Sequence, residues 1–363
     1  MERDLGYRRI QSTGRGSYII SLPKNWVQDS ELEKGSELAF KIQGDSSLIL
    51  VPRKIMEGIK EVKPDLREYR VLVEPKDSLE SLCRKIISLY AVSADLIHIR
   101  FKDGGGVSKH KMALKELVKN RLLGSEIIDE TPNEMTLQIL VNHPEFPVEK
   151  AIRRMAVIAL AANRDAILAL KSADQDLIQS VLDAHNDVKR LALYVIRQLK
   201  FGLERDLFKE LGFKTSKEFL GYRLIANDIK SVATNARNII NNIMTFKKLI
   251  NDQTLFLREP VDEEVYSQIY EFNSSAHQLF EESLRAMFKR DYEHADRILS
   301  QLESFVTLEN DLITLMSNKK LDPNVSALFR LILDSAGSVM EYTRDVAEVT
   351  LNRTVEEVVS SGS

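Results

Sequence analysis

The 363 residues contain one cysteine, Cys83, so an intramolecular disulfide is excluded. Net charge is nearly absent too, with 51 Lys/Arg against 54 Asp/Glu. Any attraction to nucleic acid has to come from a local patch rather than from overall charge. No run of about eighteen apolar residues exists, so no membrane-spanning segment is expected. Met1-Glu2-Arg3-Asp4 is followed by no apolar stretch, so no secretory signal is expected and the expected location is the cytoplasm. Catalytic patterns are missing as well: there is no Walker loop and no Ser/His/Asp order. His98, His110, His143, His185, His277 and His294 share no ligand spacing such as H-x₃-H, and each reads as a surface or strand residue. What remains is a non-enzymatic chain long enough for about two or three domains.

What is present is concentrated at the start. Tyr7–Lys24 reads YRRIQSTGRGSYIISLPK. Arg8, Arg9, Arg15 and Lys24 fall within seventeen residues, with Ser12, Thr13, Ser17, Gly14 and Gly16 among them. Point charges, small hydroxyl donors and backbone N–H groups left open by glycine suit phosphate oxygens. Residues 1–24 hold five Lys/Arg against Glu2 and Asp4, so the imbalance is local and modest. Two β-rich runs, Tyr18–Leu22 and Leu48–Pro52, flank the rest of this region. Some fifty residues carrying Ile19, Ile20, Leu22, Trp26, Leu38, Phe40, Leu48 and Leu50 bury little as a monomer, so an obligate homodimer is expected.

The order Arg8-x-Ile10-Gln11, Gly14-x-Gly16-Ser17, Leu22-Pro23-Lys24, Trp26, Lys34-Gly35 and a hairpin ending at Pro52 resembles the AbrB/SpoVT/MazE family of DNA-binding domains. The resemblance covers about Leu5–Arg53. It implies a swapped-hairpin β-barrel over 1–55, built by interleaving two chains, that grips double-stranded DNA with basic loop residues. The residues it points to are Arg8, Arg9, Ser12, Thr13, Arg15, Ser17 and Lys24.

A charged connector, Pro52–Pro64, follows. Tyr69–Val73 and Leu96–Phe101 alternate as strands, and Leu79–Tyr90 and Lys109–Leu123 have helical spacing. Glu126–Asp129 and Met135–Val141 read as two strands around Thr131-Pro132-Asn133. The pattern predicts a small βαβαββ domain over 64–143. Gly104-Gly105-Gly106 lies between strand and helix, the context of an anion-binding helix N-terminus, but lacks the Gly-Lys-Ser/Thr signature and reads as a linker. With Lys102, Lys109, His110 and Lys111 nearby, the alternative there is a secondary anion or DNA contact.

From Pro147 onward glycine is scarce and apolar residues recur every three or four positions, which predicts helices. The pattern repeats. LALKSADQDLIQSVL (168–182) aligns without gaps on RAMFKRDYEHADRIL (285–299), with Asp174 over Asp291. Asn235–Ile239 lies over Tyr342–Val346. Tandem three-helix bundles are expected, at 146–250 and 258–358. With an Asp at each first inter-helix turn, they resemble the PhoU family over about 146–358. Fused to an AbrB-like head, they resemble an archaeal type of phosphate-uptake regulator.

That resemblance implies control of phosphate uptake, with a phosphate transporter or its signalling protein as partner of the helical region. It also implies carboxylate pairs at i, i+4 that hold hard cations or iron clusters. Those positions here are His185 and Lys189, Lys230 and Thr234, Leu302 and Val306, and Gly337 and Glu341. Only Glu341 keeps a carboxylate, so no metal and no cofactor is expected. Asp183 and Asp187 form an i, i+4 pair of their own that reads as a solvated helix face before it reads as a cation site. The whole is a multidomain α+β chain expected to act as a DNA-binding transcriptional regulator. The alternative is an adaptor or negative regulator that binds no DNA and docks on a phosphate transporter or its signalling partner. In it the N-terminal domain would chiefly dimerise.

Overall fold

The computed structural model describes residues 7–12, 16–42, 47–53, 66–102, 106–141, 146–172, 174–205, 207–251, 262–319 and 321–359. The chain divides into Met1–Leu66 and Arg67–Ser363.

The first unit contains β1 (Gln11–Ser12), β2 (Tyr18–Ile19), α1 (Lys24–Asp29), β3 (Leu38–Ile42) and β4 (Leu48–Pro52). β1 pairs antiparallel with β2, and β3 with β4, as two separate two-stranded sheets. A single chain therefore shows hairpins rather than a closed barrel among the described residues. The turn after β1 needs a residue with positive φ, and Gly16 takes it at +81°. Leu22-Pro23-Lys24 is not a continuing strand. Pro23 is the N-cap of α1, and its fixed φ of −62° delivers the chain into the helix. Phe40 pairs with Leu50 and Ile42 with Leu48, which puts four apolar side chains on one face of the hairpin. That face is open: Phe40 is 65% exposed, Ile42 81% and Leu48 53%.

The second unit begins with β5 (Glu68–Val73), α2 (Leu79–Ala91), β6 (Leu96–Phe101), α3 (Val107–Arg121), β7 (Ser125–Glu130) and β8 (Glu134–Ile139). The sheet order is β5-β6-β8-β7, with β5 parallel to β6 and the other pairs antiparallel. Alternation decides which side is covered: Ile97, Ile99 and Phe101 are buried, as are Met135, Leu137 and Ile139 opposite. Leu82, Ile86 and Tyr90 of α2 and Leu114, Leu117 and Val118 of α3 complete this core. Ser78 caps α2 by accepting the Ser81 N–H at 3.1 Å.

Among the described residues six long helices follow: α4 (Val148–Ser172), α5 (Gln175–Glu204), α6 (Glu218–Asn251), α7 (Glu263–Lys289), α8 (Tyr292–Asn318) and α9 (Pro323–Val358). α4, α5 and α6 pack on one another, α7 and α9 pack together, and both contact α8. Asp174 accepts the Asp176 N–H at 2.8 Å to start α5, and Asp291 accepts the His294 N–H at 3.0 Å to start α8. The aligned aspartates thus do the same local work in each repeat. Asp322 caps α9, with Pro323 in the first turn, where a missing N–H costs nothing.

The two repeats meet where α6 crosses α9. A Cβ on Gly221 would lie 2.5 Å from a Val349 methyl, so close approach requires glycine there. At one end of the seam Glu218 receives Arg353 and Arg290, while Arg290 and Lys214 each reach Glu357 at 2.6 Å.

Further along the seam, Asp228 is 2% exposed and its Oδ2 has no hydrogen-bond partner. Burial, reinforced by Asp345 and opposed by Lys230, pushes its carboxyl up to about 7. An unfolded chain ionises this group near its ordinary value. Between the two values the folded state keeps a proton that the unfolded state has lost, so stability falls as pH rises across that window. Asp345 is raised too and acts in the same direction. Asp228→Asn is expected to remove most of this loss. The variant should exceed the parent by on the order of 2–4 kcal/mol at pH 8 and match it near pH 4, read by urea denaturation at both values. Parallel pH profiles for the two proteins would contradict it.

α5 belongs to both layers. Leu193 packs into the core beneath the sheet, while Val188, Ala192, Tyr194 and Val195 pack into the helical core. Arg197, with 5% of its side chain exposed, donates to Tyr90 O at 3.0 Å and Ala94 O at 2.6 Å, and pairs with Asp95 at 3.2 Å. This contact ties the sheet layer to the helices.

Candidate functional site

In the first unit Arg8, Arg9, Ser12, Ser17 and Lys24 are all exposed. Thr13 and Arg15 lie outside the described residues. The β1–β2 register sets Ser12 opposite Tyr18, so the hairpin holds the 8–12 segment beside the Ser17 segment. Arg8 donates to its neighbour's carbonyl, Tyr7 O, at 2.9 Å. Arg9 and Lys24 make no ion pair or hydrogen bond among the described residues. Arg53, by contrast, is paired with Glu37. Among the described residues Arg8, Arg9 and Lys24 are thus exposed cations without a carboxylate partner, as a phosphate-contacting surface needs them to be.

The Gly106 region is different. Gly106 is the N-cap of α3 at φ +106°, while Gly104 and Gly105 lie outside the described residues. Lys102 pairs with Glu74 at 2.7 Å, Lys115 with Glu130 at 2.8 Å, and Lys111 with Glu130 at 3.6 Å. His110 is buried, its ring nitrogens 3.0 Å from Gly106 O and 2.8 Å from Asp77 O. It is neither a surface nor a strand residue, and it pins two loops. Of Lys102, Lys109, His110 and Lys111, two are paired with local carboxylates and His110 is buried, so a secondary anion contact there has little left to use.

In the helical repeats the positions where carboxylate pairs were sought hold a different chemistry. His185 is 3% exposed, so it too is a core residue rather than a surface one. Lys189 lies one turn on, half-buried. Arg121, at the last turn of α3, and Arg237, on α6, are close enough for their charges to bear on both, and Lys230 bears on Lys189. Burial together with Arg237, Lys189 and Arg121 pushes the His185 imidazole down to about 4. Lys189 is lowered by burial and then by Arg121, Arg237 and Lys230. Lys230 itself donates to Asn227 at 2.9 Å, and Thr234 donates to Lys230 O on its own helix at 2.8 Å.

Asp183 and Asp187 are exposed on another side of α5. Asp183 accepts from Gln179 at 2.9 Å. They border a recess of about 650 Å³ between α2, α3 and α5, whose walls also carry Cys83, Lys119, Arg121 and Arg190. Among the described residues no three His, Cys, Asp or Glu side chains converge as metal ligands. No described helix is long and apolar enough to cross a membrane.

Lys189 and Lys230 occupy two positions at which the resemblance implies carboxylates. Lys189 converges with Arg121, which comes from another layer, and Lys230 reaches Lys189 alone of this group. The available signal was the alignment itself: basic residues replacing expected carboxylates mark a site of reversed charge.

Comparisons with known proteins match the two ends of this description. Residues 11–57 match the family model described as "Antidote-toxin recognition MazE, bacterial antitoxin". Residues 152–243 match the PhoU domain. Among solved structures the chain is similar to the phosphate transport system regulatory protein PhoU from Streptococcus pneumoniae. Identity is 13%, with 59% of this chain and 96% of that chain covered and a TM-score of 0.45. It is also similar to PhoU from Pseudomonas aeruginosa at 16% identity, 57% and 95% coverage and a TM-score of 0.39. No curated protein matches the chain.

Proposed function

We propose that the chain is a cytoplasmic, non-enzymatic regulator that binds double-stranded DNA through an N-terminal homodimer and adjusts that binding through its helical repeats, in the control of phosphate uptake. The observation that carries this reading is the exposed set Arg8, Arg9 and Lys24, without a carboxylate partner among the described residues, of which Lys24 lies within and Arg8 and Arg9 just before the segment 11–57 that matches the MazE antitoxin model. Thr13 and Arg15, which lie outside the described residues, and Ser12 and Ser17 complete the contact set. The open apolar face of Phe40, Ile42 and Leu48 is the surface a second copy would cover. Under this reading the domains are 1–55, 64–143, 146–250 and 258–358.

The test is a titration of the full-length protein on one duplex at several salt concentrations. Binding by phosphate neutralisation gives log affinity falling linearly with log salt, with a slope of about −0.9 per neutralised phosphate. Arg15→Ala should cost on the order of 1–3 kcal/mol per site if the guanidinium reads a base edge. If it contacts phosphate alone, the loss is smaller, uniform across sequences, and makes the slope shallower. A flat slope in the parent together with unchanged affinity in the variant leaves the adaptor reading. Leu220 and Leu224 favour that reading, since they expose one strip of α6 (79% and 39%) of the kind a protein partner covers.

A further inference from the structure

The convergence of Arg121, Lys189 and Arg237 around His185 has no structural counterpart in the second repeat. Aligned positions there are Leu302 for His185, Val306 for Lys189, Gly337 for Lys230 and Glu341 for Thr234. Leu302 is buried core and Val306 is 59% exposed. Arg344, aligned with Arg237, has Glu341 at 4.0 Å. The same three-helix packing is thus achieved without this group of cations, so the fold does not require them.

Nor do the described residues neutralise these cations where they stand. Arg121, Lys189 and His185 make no ion pair or hydrogen bond among the described residues. Arg237 reaches only its neighbour's side chain, Asn238 Oδ1, at 3.4 Å. The Nε atoms of Arg121, Arg190 and Arg237 are buried donors without an acceptor. Buried donors ordinarily find partners, and half-buried like charges repel. Carboxylates do occur nearby, and they sit elsewhere. Asp183 and Asp187, which line the recess, are about 120–160° around α5 from His185 and Lys189, taking 100° per residue. Glu116 lies along the recess wall, and Asp228 is in the α6–α9 seam.

We propose that Arg121, Lys189 and Arg237, with His185 between them, form a binding site for a small phosphate-type oxyanion at the junction of α3, α5 and α6. A tetrahedral oxyanion offers several acceptors to donors arriving from three helices, and its charge removes their mutual repulsion. The recess of about 650 Å³ beside Arg121 and Arg190 gives access from solvent. The donors are half-buried among helices, where a duplex backbone cannot follow, so a small ion is the occupant and not DNA. Because Arg121 belongs to the sheet layer and Lys189 and Arg237 to the helices, the ion would clamp the two layers together. The inference stands apart from the DNA reading and shares no residue with it.

The experiment uses full-length protein at pH 7 and matched ionic strength, with inorganic phosphate, tripolyphosphate and sodium chloride compared by calorimetric titration and thermal melting. Saturable binding of inorganic phosphate or tripolyphosphate at one site per chain is expected, with a higher melting temperature than in chloride. Whichever of the two binds identifies the free ion or its polymer as the source. Lys189→Gln and Arg121→Gln should each weaken binding at least tenfold, while Arg344→Gln, at the aligned position of the second repeat, should bind as the parent does. Without the ion, Lys189→Gln should melt no lower than the parent, because it removes an unpaired like charge; that separates lost binding from lost folding. In the parent, the His185 ring resonance should titrate at higher pH when the ion is present. No saturable response beyond chloride, or glutamine variants that bind like the parent, would overturn the site. So would loss of duplex binding in those variants with no response to either phosphate, which would place the cluster on a DNA surface instead.

Discussion

Arg197→Met is expected to destabilise the Arg67–Ser363 unit by about 3–5 kcal/mol, the range for breaking a buried pair from one side. The methionine fills much of the volume, so the loss reports on polar groups rather than on a cavity. Tyr90 O in the last turn of α2 and Ala94 O just beyond it each lose a donor. Asp95 retains the Arg67 N–H at 3.0 Å and Arg205 at 3.8 Å but loses its most buried cation. Ser93, which donates to Arg197 O at 3.2 Å, holds the same junction through the backbone and is unaffected. Arg197→Lys should fall between the two, because one ammonium cannot reproduce a planar fork that meets three acceptors. Urea denaturation measures both, and hydrogen exchange should localise the weakening to α2 and the 92–95 segment. A Met variant within 1 kcal/mol of the parent would show that the two layers are held by apolar contact alone.

This junction also marks where reading the sequence stops. The strands β5 to β8 and helices α2 and α3 were legible because their apolar periods of two and of three or four are local properties. So was the equivalence of Asp174 and Asp291, since an N-cap acts on its own helix within three residues. Ends were less legible. α6 begins at Glu218, where its first turn is stabilised by Glu218 accepting the N–H groups of Lys214 and Thr215 and by Arg353 from a distant helix, which no local pattern encodes. α3 begins at Val107 because Gly106 adopts a positive φ that no apolar pattern announces.

The candidate site divides in the same way. Arg8, Arg9 and Lys24 could be read from local composition and glycine placement, because a surface contact set needs only to be exposed and clustered in sequence. The Arg121–Lys189–Arg237 convergence could not. Its members are separated by 68 and 48 residues, and nothing local to any of them encodes the approach of α3 to α5. His110 and His185 were misread for a related reason. A histidine's burial is set by what packs over it, which for His110 is the loop at Asp77 and for His185 is α6 with the end of α3.

Phe40→Asp combined with Ile42→Asp is expected to turn a dimer into a monomer and to lower DNA affinity by about 10²–10⁴-fold at fixed salt. The apolar face of β3 and β4 is open in one chain, with Phe40 65% and Ile42 81% exposed. For an isolated chain, polar residues at such positions are nearly neutral. If a second copy covers the face, two aspartates per chain, four per dimer, lose their water in the interface, and ionised carboxylates resist that strongly. The consequence for DNA follows from linkage of two binding surfaces. A dimer presents Arg8, Arg9, Arg15 and Lys24 twice on one body, so the second set binds at a high effective concentration, and its loss removes that gain. The salt slope should flatten by about half at the same time, because half of the phosphates are neutralised. Light scattering at micromolar concentration reads the assembly, and the duplex titration reads the function. The Arg67–Ser363 unit provides the control, since its hydrogen exchange should not change in the double variant. A variant that remains dimeric through other surfaces and keeps its affinity would sink the N-terminal interface. One that becomes monomeric yet binds DNA with the parent's slope would show that a single basic segment suffices.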